Sequence, residues 1–135
     1  MQVLPPAEQT NTILYCDQWS ETVVFYEKRL GLPVSYRSNW FVEFALSDTG
    51  RVSVVDASRA TVKSAAGKGI TLSLRMKNLN AVWNSLKNAG ITPTAIKDHP
   101  MRARVFYFFD PEGHRIEIWS PSSAALSGNS LLLAT

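Results

Sequence analysis

Cysteine is nearly absent from this chain of 135 residues. Cys16 stands alone, so no internal disulfide can form, and a reducing compartment is the expected home. With two histidines beside it, a Cys/His zinc framework is excluded. Long apolar runs are missing too. VFYFF, from Val105 to Phe109, falls far short of the roughly 20 residues needed to cross a bilayer. The opening MQVLPPAEQTN has neither a basic stretch nor an apolar core of the secretory kind, so the cytoplasm is the expected location. Charge of one sign is also scarce: 14 Lys and Arg against 11 Asp and Glu leave a net +3, dispersed along the chain. No basic stripe interleaves with aromatics, so no nucleic acid partner and no membrane partner is expected.

What is present reads as one globular domain, long enough to bury about two-thirds of its unfolded surface. The stretch RVFYFFDPEGHRIEIWS, Arg104 to Ser120, predicts a β-hairpin. Val105–Phe109 and Ile116–Trp119 are β-branched and aromatic, suiting a pleated, half-buried surface. Between them, Asp110-Pro111-Glu112-Gly113 has the residue order of a type I turn. Glu117 interrupts the second flank. Alternation places it on one face with Arg115 and Trp119, opposite Ile116 and Ile118.

Taken in order, Thr12–Cys16 predicts a strand and a helix follows, capped by Asp17 or Ser20. Trp19, Val23, Tyr26 and Leu30 form its apolar stripe, and Gly31 suits its left-handed end. Strands are expected at Val34–Arg37, Trp40–Leu46 and Arg51–Asp56, with a turn at Ser47–Gly50. After a loop the order repeats. Ile70–Met76 is a strand, Asn78 caps a helix burying Leu79, Val82, Trp83, Leu86 and Ala89, and Gly90 ends it. Ile91–Lys97 is a strand, Asp98-His99-Pro100 a loop, and the hairpin closes the chain. The helix-ending glycines stand 59 apart and the hairpin glycines Gly50 and Gly113 stand 63 apart, which implies a duplicated module. The expected fold is α+β: two tandem βαβββ modules, 10–60 and 68–121, within a single domain 10–121. Their sheets would form a cupped, barrel-like mixed β-sheet with helices outside. Residues 122–135, rich in Ser and Ala, are expected to be a flexible tail.

FYFFDPEGHRIEIW resembles the closing hairpin of the vicinal oxygen chelate superfamily, which includes glyoxalase I, bleomycin-resistance proteins, fosfomycin-resistance enzymes and extradiol dioxygenases. ILYCDQWSETVVFYEKRLGLPV resembles that family's opening strand-helix-glycine segment. The resemblance implies a paired βαβββ fold, a ligand cup and, frequently, a homodimer. In metal-dependent members the ligands come from the first and last strand of each module. Here the last strand of the second module offers Glu117, a match. The last strand of the first offers Val54, counted from its turn glycine, or Ser53 with a slip of one. Thr71 stands where a histidine usually does, and Asn11 or Thr12 fills the remaining place. One carboxylate, an amide and a hydroxyl do not make the usual three-ligand set, so no cofactor is expected. A divalent metal, if bound, would use Glu117 with Asn11. Glu43 lies on the wrong strand for that mapping.

Within the implied cup, Glu117 is the candidate catalytic group, as a general base or as an orienting contact. Trp40, Glu43, Tyr107, Trp119 and Arg104 are the candidate ligand-binding residues. For the aromatics core filling is the plainer role, and for Glu43 an ion pair or packing. Arg75 and Arg102 join Arg104 as possible contacts for an anionic ligand. His99 would rim the cup, His114 is expected exposed in its turn, and Cys16 buried. The functional expectation is a homodimeric protein of the bleomycin-resistance kind, binding a small organic ligand without metal. The alternative is a metal-dependent lyase, isomerase or dioxygenase of the glyoxalase kind, and the residues leave open whether any reaction is catalysed.

Overall fold

A computed structural model describes residues 2–99 and 103–122. The chain divides between Lys68 and Gly69 into two compact units. The first contains β1 (Thr10–Cys16), α1 (Trp19–Val24) running into a π-helical turn (Phe25–Arg29), β2 (Val34–Arg37), β3 (Phe41–Ala45), β4 (Gly50–Asp56) and a 3₁₀ turn (Ala57–Arg59). The second contains β5 (Thr71–Arg75), α2 (Leu79–Asn88), β6 (Lys97–His99), β7 (Ala103–Phe109) and β8 (Arg115–Pro121). Each unit has a four-stranded mixed sheet, ordered β1-β4-β3-β2 in one and β5-β8-β7-β6 in the other. In both, the first strand runs parallel to the last and the remaining pairs are antiparallel. The fold is α+β, and each sheet is open rather than closed into a barrel.

Alternation decides the two faces of each sheet. Leu14, Cys16, Val42, Phe44, Val52 and Val54 are buried in the first unit, and Phe106, Phe108, Ile116 and Ile118 in the second. Burying each such side chain contributes about 1.5–3 kcal/mol before chain entropy is subtracted. Helix α1 packs on β1 and β4, and α2 on β8. Cys16 is buried, as its composition suggested.

Helix α1 begins at Gln18 rather than with a capping side chain from Asp17 or Ser20. Both the Thr22 N–H and the Thr22 hydroxyl donate to the Gln18 carbonyl, at 3.1 and 2.6 Å. The expected apolar stripe is also rotated. Leu30 N–H donates to Phe25 O, the wider spacing of a π turn, so Thr22 and Phe25 are buried with Val23 and Tyr26 while Trp19 and Leu30 are only half-buried. Gly31 ends the turn at φ +71°, a conformation that disfavours a side chain. Arg37 Nη2 on β2 meets Glu27 Oε1 of the π turn at 2.6 Å, and this bond holds the Glu27 carboxyl below its ordinary value of 4.5. In α2, Asn78 Oδ1 caps Ala81 N–H as expected. Leu79 and Leu86 are buried, Val82 and Trp83 half-buried, but Ala89 is exposed because it lies past the last packed turn.

The segment expected as one strand from Ile91 to Lys97 is irregular up to Ile96, and only Lys97–His99 pairs with β7. Asp98 and His99 therefore belong to a strand rather than to a loop. Pro93 has no N–H for a ladder. Beside it, Thr94 bonds to Tyr107 twice: its N–H donates to Tyr107 O (2.8 Å), and its hydroxyl accepts from Tyr107 N–H (2.9 Å). The His99 side chain, Arg102 and the tail from 123 to 135 lie outside the described residues.

Candidate functional site

The β7–β8 turn is built around one carboxylate. Asp110 Oδ1 accepts from the N–H groups of Glu112, Gly113 and His114 at 2.9–3.0 Å. Gly113 N–H donates to Asp110 O at 3.0 Å, closing a four-residue turn where one was expected. His114 departs from expectation. It is 5% exposed, with Nδ1 at 2.8 Å from Asp110 Oδ2. Against an ionised carboxylate that nitrogen is the donor. The carboxylate draws the ring inward, so His114 is a structural strut of the hairpin and not a surface histidine.

That hairpin presents Glu117. In the register, Glu117 lies opposite Ser73 on β5 and Tyr107 on β7. Ser73 Oγ donates to Glu117 Oε1 at 2.5 Å, while Oε2 has no hydrogen-bond partner among the described residues. Two guanidiniums flank the carboxylate along the strands. Arg115 lies over the Tyr107 ring, 4.6 Å from its centroid, and its Nε donates to Thr71 Oγ1 at 3.0 Å. Arg75 lies over the Trp119 ring at 5.5 Å. The face is thus a carboxylate between two arginine-covered rings. Ser73, Arg75 and Arg115 are exposed; Tyr107, Glu117 and Trp119 are half-buried. Three of the expected site residues, Tyr107, Glu117 and Trp119, come together here. Arg115 shares this face as alternation implied, whereas Ser73 was not singled out, because the strand that supplies it is 44 residues away in sequence.

Arg104 is not on this face. It alternates with Val105 and Tyr107, and its guanidinium bonds Asp98 Oδ1 at 2.9 Å and Asn80 of α2 at 3.4 Å. Those partners place it on the helix side of the sheet. Trp40 and Glu43 belong to the first unit. Trp40 is half-buried, its ring 5.8 Å from that of Phe41, and its carbonyl accepts from Asp56 N–H. Glu43 sits in a closed polar cluster. Its Oε1 accepts from Asn11 Nδ2 at 3.2 Å and its Oε2 from Ser35 Oγ at 2.6 Å. Ser53, fully buried, donates to Asn11 Oδ1 at 2.9 Å. Arg51 Nη1 holds the Ser47 and Gly50 carbonyls at 2.7 and 3.0 Å, and its Nε, 4.0 Å from Glu43, is buried without a hydrogen-bond partner among the described residues.

The β3–β4 pair corresponds to the β7–β8 pair at a single offset, which hydrogen bonds fix. Leu46 N–H donates to Gly50 O, as Asp110 N–H donates to His114 O. Gly50 therefore corresponds to His114 and not to Gly113. On that count Arg51 corresponds to Arg115, Glu43 to Tyr107, and Ser53 to Glu117. Strand pairing agrees, since Ile13, Ser53 and Glu43 are aligned as are Ser73, Glu117 and Tyr107. Counting from the turn glycine gave Val54, but Val54 lies in the core on the other face, and Ser53 is the residue at the Glu117 position.

This settles which donors each face offers a metal. The first gives Asn11, Ser53 and the already bonded Glu43; the second gives Thr71, Ser73 and Glu117. Among the described residues neither face carries an imidazole, and no group of three His, Cys, Asp or Glu side chains converges. One carboxylate with amides and neutral hydroxyls is a poor donor set for a catalytic transition metal. The residues of either face do not fit one.

Residues 9–118 match the family model of the Glyoxalase/Bleomycin resistance protein/Dioxygenase superfamily. The chain belongs to that superfamily. A relative in Bacillus subtilis, the uncharacterized protein YraH, is 29% identical over 120 residues, covering 78% of this chain and 92% of the relative. Among solved structures, a lactoylglutathione lyase from Agrobacterium tumefaciens is similar with a TM-score of 0.71 at 19% identity, covering 93% of this chain and all of that one. TnmS3, an antibiotic binding protein from Streptomyces, has a TM-score of 0.72 at 19% identity, covering 90% of this chain and all of that one. A lyase and a binding protein thus resemble this superfamily member about equally, and the likeness carries the fold alone. No helix among the described residues is long and apolar enough to cross a membrane.

Proposed function

We propose that this superfamily member binds a small organic molecule on the β5-β8-β7 face of its second unit, without a metal, as a cytoplasmic homodimer. The observation that carries the reading is Glu117, held at one oxygen by Ser73 and open at the other, between Tyr107 and Trp119. Rings supply contact area at small entropic cost, and one fixed polar group sets orientation, which is what a binding face requires. Glu117 Oε2 would accept a hydrogen bond from the ligand. Catalysis by a bound metal would need donors that neither face supplies, and this favours binding over lyase, isomerase or dioxygenase chemistry. The antibiotic-binding protein from Streptomyces is a precedent for binding on this fold. The homodimer rests on the family resemblance, and the cytoplasm on the single buried cysteine.

The test is a thermal-shift screen of small aromatics and antibiotics on chelator-treated protein. A ligand at about a hundred times its Kd adds about 2.7 kcal/mol to the folded state, enough to raise Tm by several degrees. A saturable rise that weakens in Glu117→Gln is expected. No response across a broad set would sink the binding reading.

A further inference from the structure

The two units place arginine at the same position of the repeat, and use it differently. Arg51 turns into the first unit, where its Nη1 clamps the β3–β4 turn. In the second unit the corresponding turn is held by Asp110 and His114 instead, and the corresponding arginine is released. Arg115 lies over the Tyr107 ring, 4.6 Å from its centroid, and among the described residues its hydrogen bond runs from Nε to Thr71. Its two terminal nitrogens, like the guanidinium of Arg75 over Trp119, meet no acceptor among the described residues. Among the described residues Glu117 is the one carboxylate facing these two guanidiniums in the strand register, and it bonds Ser73 rather than either of them.

From this we infer that Arg115 and Arg75 make the second-unit face selective for planar ligands that carry an acidic group. The inference rests on the binding reading above and names its ligand class. A guanidinium stacked on a ring is already oriented, so its outer face can stack a second planar group while its edge offers paired N–H donors to a carboxylate. Two such guanidiniums against one carboxylate leave an excess positive charge for a monoanionic ligand to meet. Glu117 Oε2 remains an acceptor beside them, so a ligand with both an acid and an N–H or O–H donor is the best complement. The first-unit face lacks this capacity, because both oxygens of Glu43 are already bonded and Arg51 is spent on its turn.

The test compares three probes of matched shape by calorimetry at low salt: 2-naphthoate, 2-naphthamide and 2-naphthylmethylamine. The acid should bind about tenfold more tightly than the amide, the scale of one charge-assisted hydrogen bond. Arg115→Gln and Arg75→Gln should each reduce that ratio, and the double variant should bring acid and amide together. Both arginines are exposed, and unchanged near-UV circular dichroism will show that the variants fold. Lys87→Gln removes a positive charge from α2, on the helix side of the sheet, and should leave the ratio unchanged. An amide that binds as well as the acid overturns charge selection while leaving the binding reading in place. Preference for the amine, a ratio that survives the double variant, or no binding of any probe also overturns it. The broad screen decides separately whether the face binds anything.

Discussion

At the scale of single residues, Asp110 organises the turn of the hairpin. One oxygen satisfies three backbone N–H groups, two of them buried, and the other fixes His114. Removing a buried acceptor leaves those donors desolvated and unpaired, so Asp110→Ala should cost about 2–4 kcal/mol in urea denaturation. Asp110→Asn keeps an oxygen and should cost about 1 kcal/mol. Equal losses in the two variants would show that the acceptor is not what matters. The Asp-Pro-Glu-Gly turn was legible because its dihedral preferences are local. The burial of His114 was not, since it depends on which way the Asp110 side chain points. Glu117 was legible as an oddity for the same local reason, and its Ser73 partner was hidden by sequence distance.

At the scale of elements, alternation gave the faces correctly, while register had to come from structure. Glu43 and Ser53 share a face because β3 and β4 are aligned, and no count along one strand reveals that. The hairpin of the first unit has no Asp-Pro-Glu-Gly turn, so its glycine is offset by one from that of the second, and Val54 stood in for Ser53. Ile91–Lys97 was expected as a strand, yet Pro93 interrupts the ladder and Thr94 completes it with a hydroxyl. Trp83 Nε1 on α2 donates to Thr94 O at 2.8 Å, which ties the helix to the strand that carries Tyr107. Thr94→Val should cost about 1–2 kcal/mol and speed hydrogen exchange at the Tyr107 amide, and Thr94→Ser should restore both. Unchanged exchange in Thr94→Val would mean that the Tyr107 N–H has another acceptor.

At the scale of the whole molecule, the chain is a duplicated βαβββ module whose copies have taken different chemistry. The first copy keeps its carboxylate on β3 and closes it within Asn11 and Ser35. The second carries its carboxylate on β8 and leaves one oxygen open. The family was legible from the closing hairpin, because that segment combines a turn signature with flanking alternation. The ligand was not, because one fold hosts lyases and binding proteins alike and the difference lies in side chains brought together by register. Binding on the second-unit face is expected to need no metal. Its most direct measurement is the Kd of the best ligand from the thermal-shift screen, taken by calorimetry after exhaustive chelation and again with Ni, Mn, Fe or Zn added. The same Kd is expected throughout, with Glu117→Gln weakening binding about tenfold. Binding that appears only with a divalent ion, held at one per chain and lost in Glu117→Ala, would contradict metal-free binding.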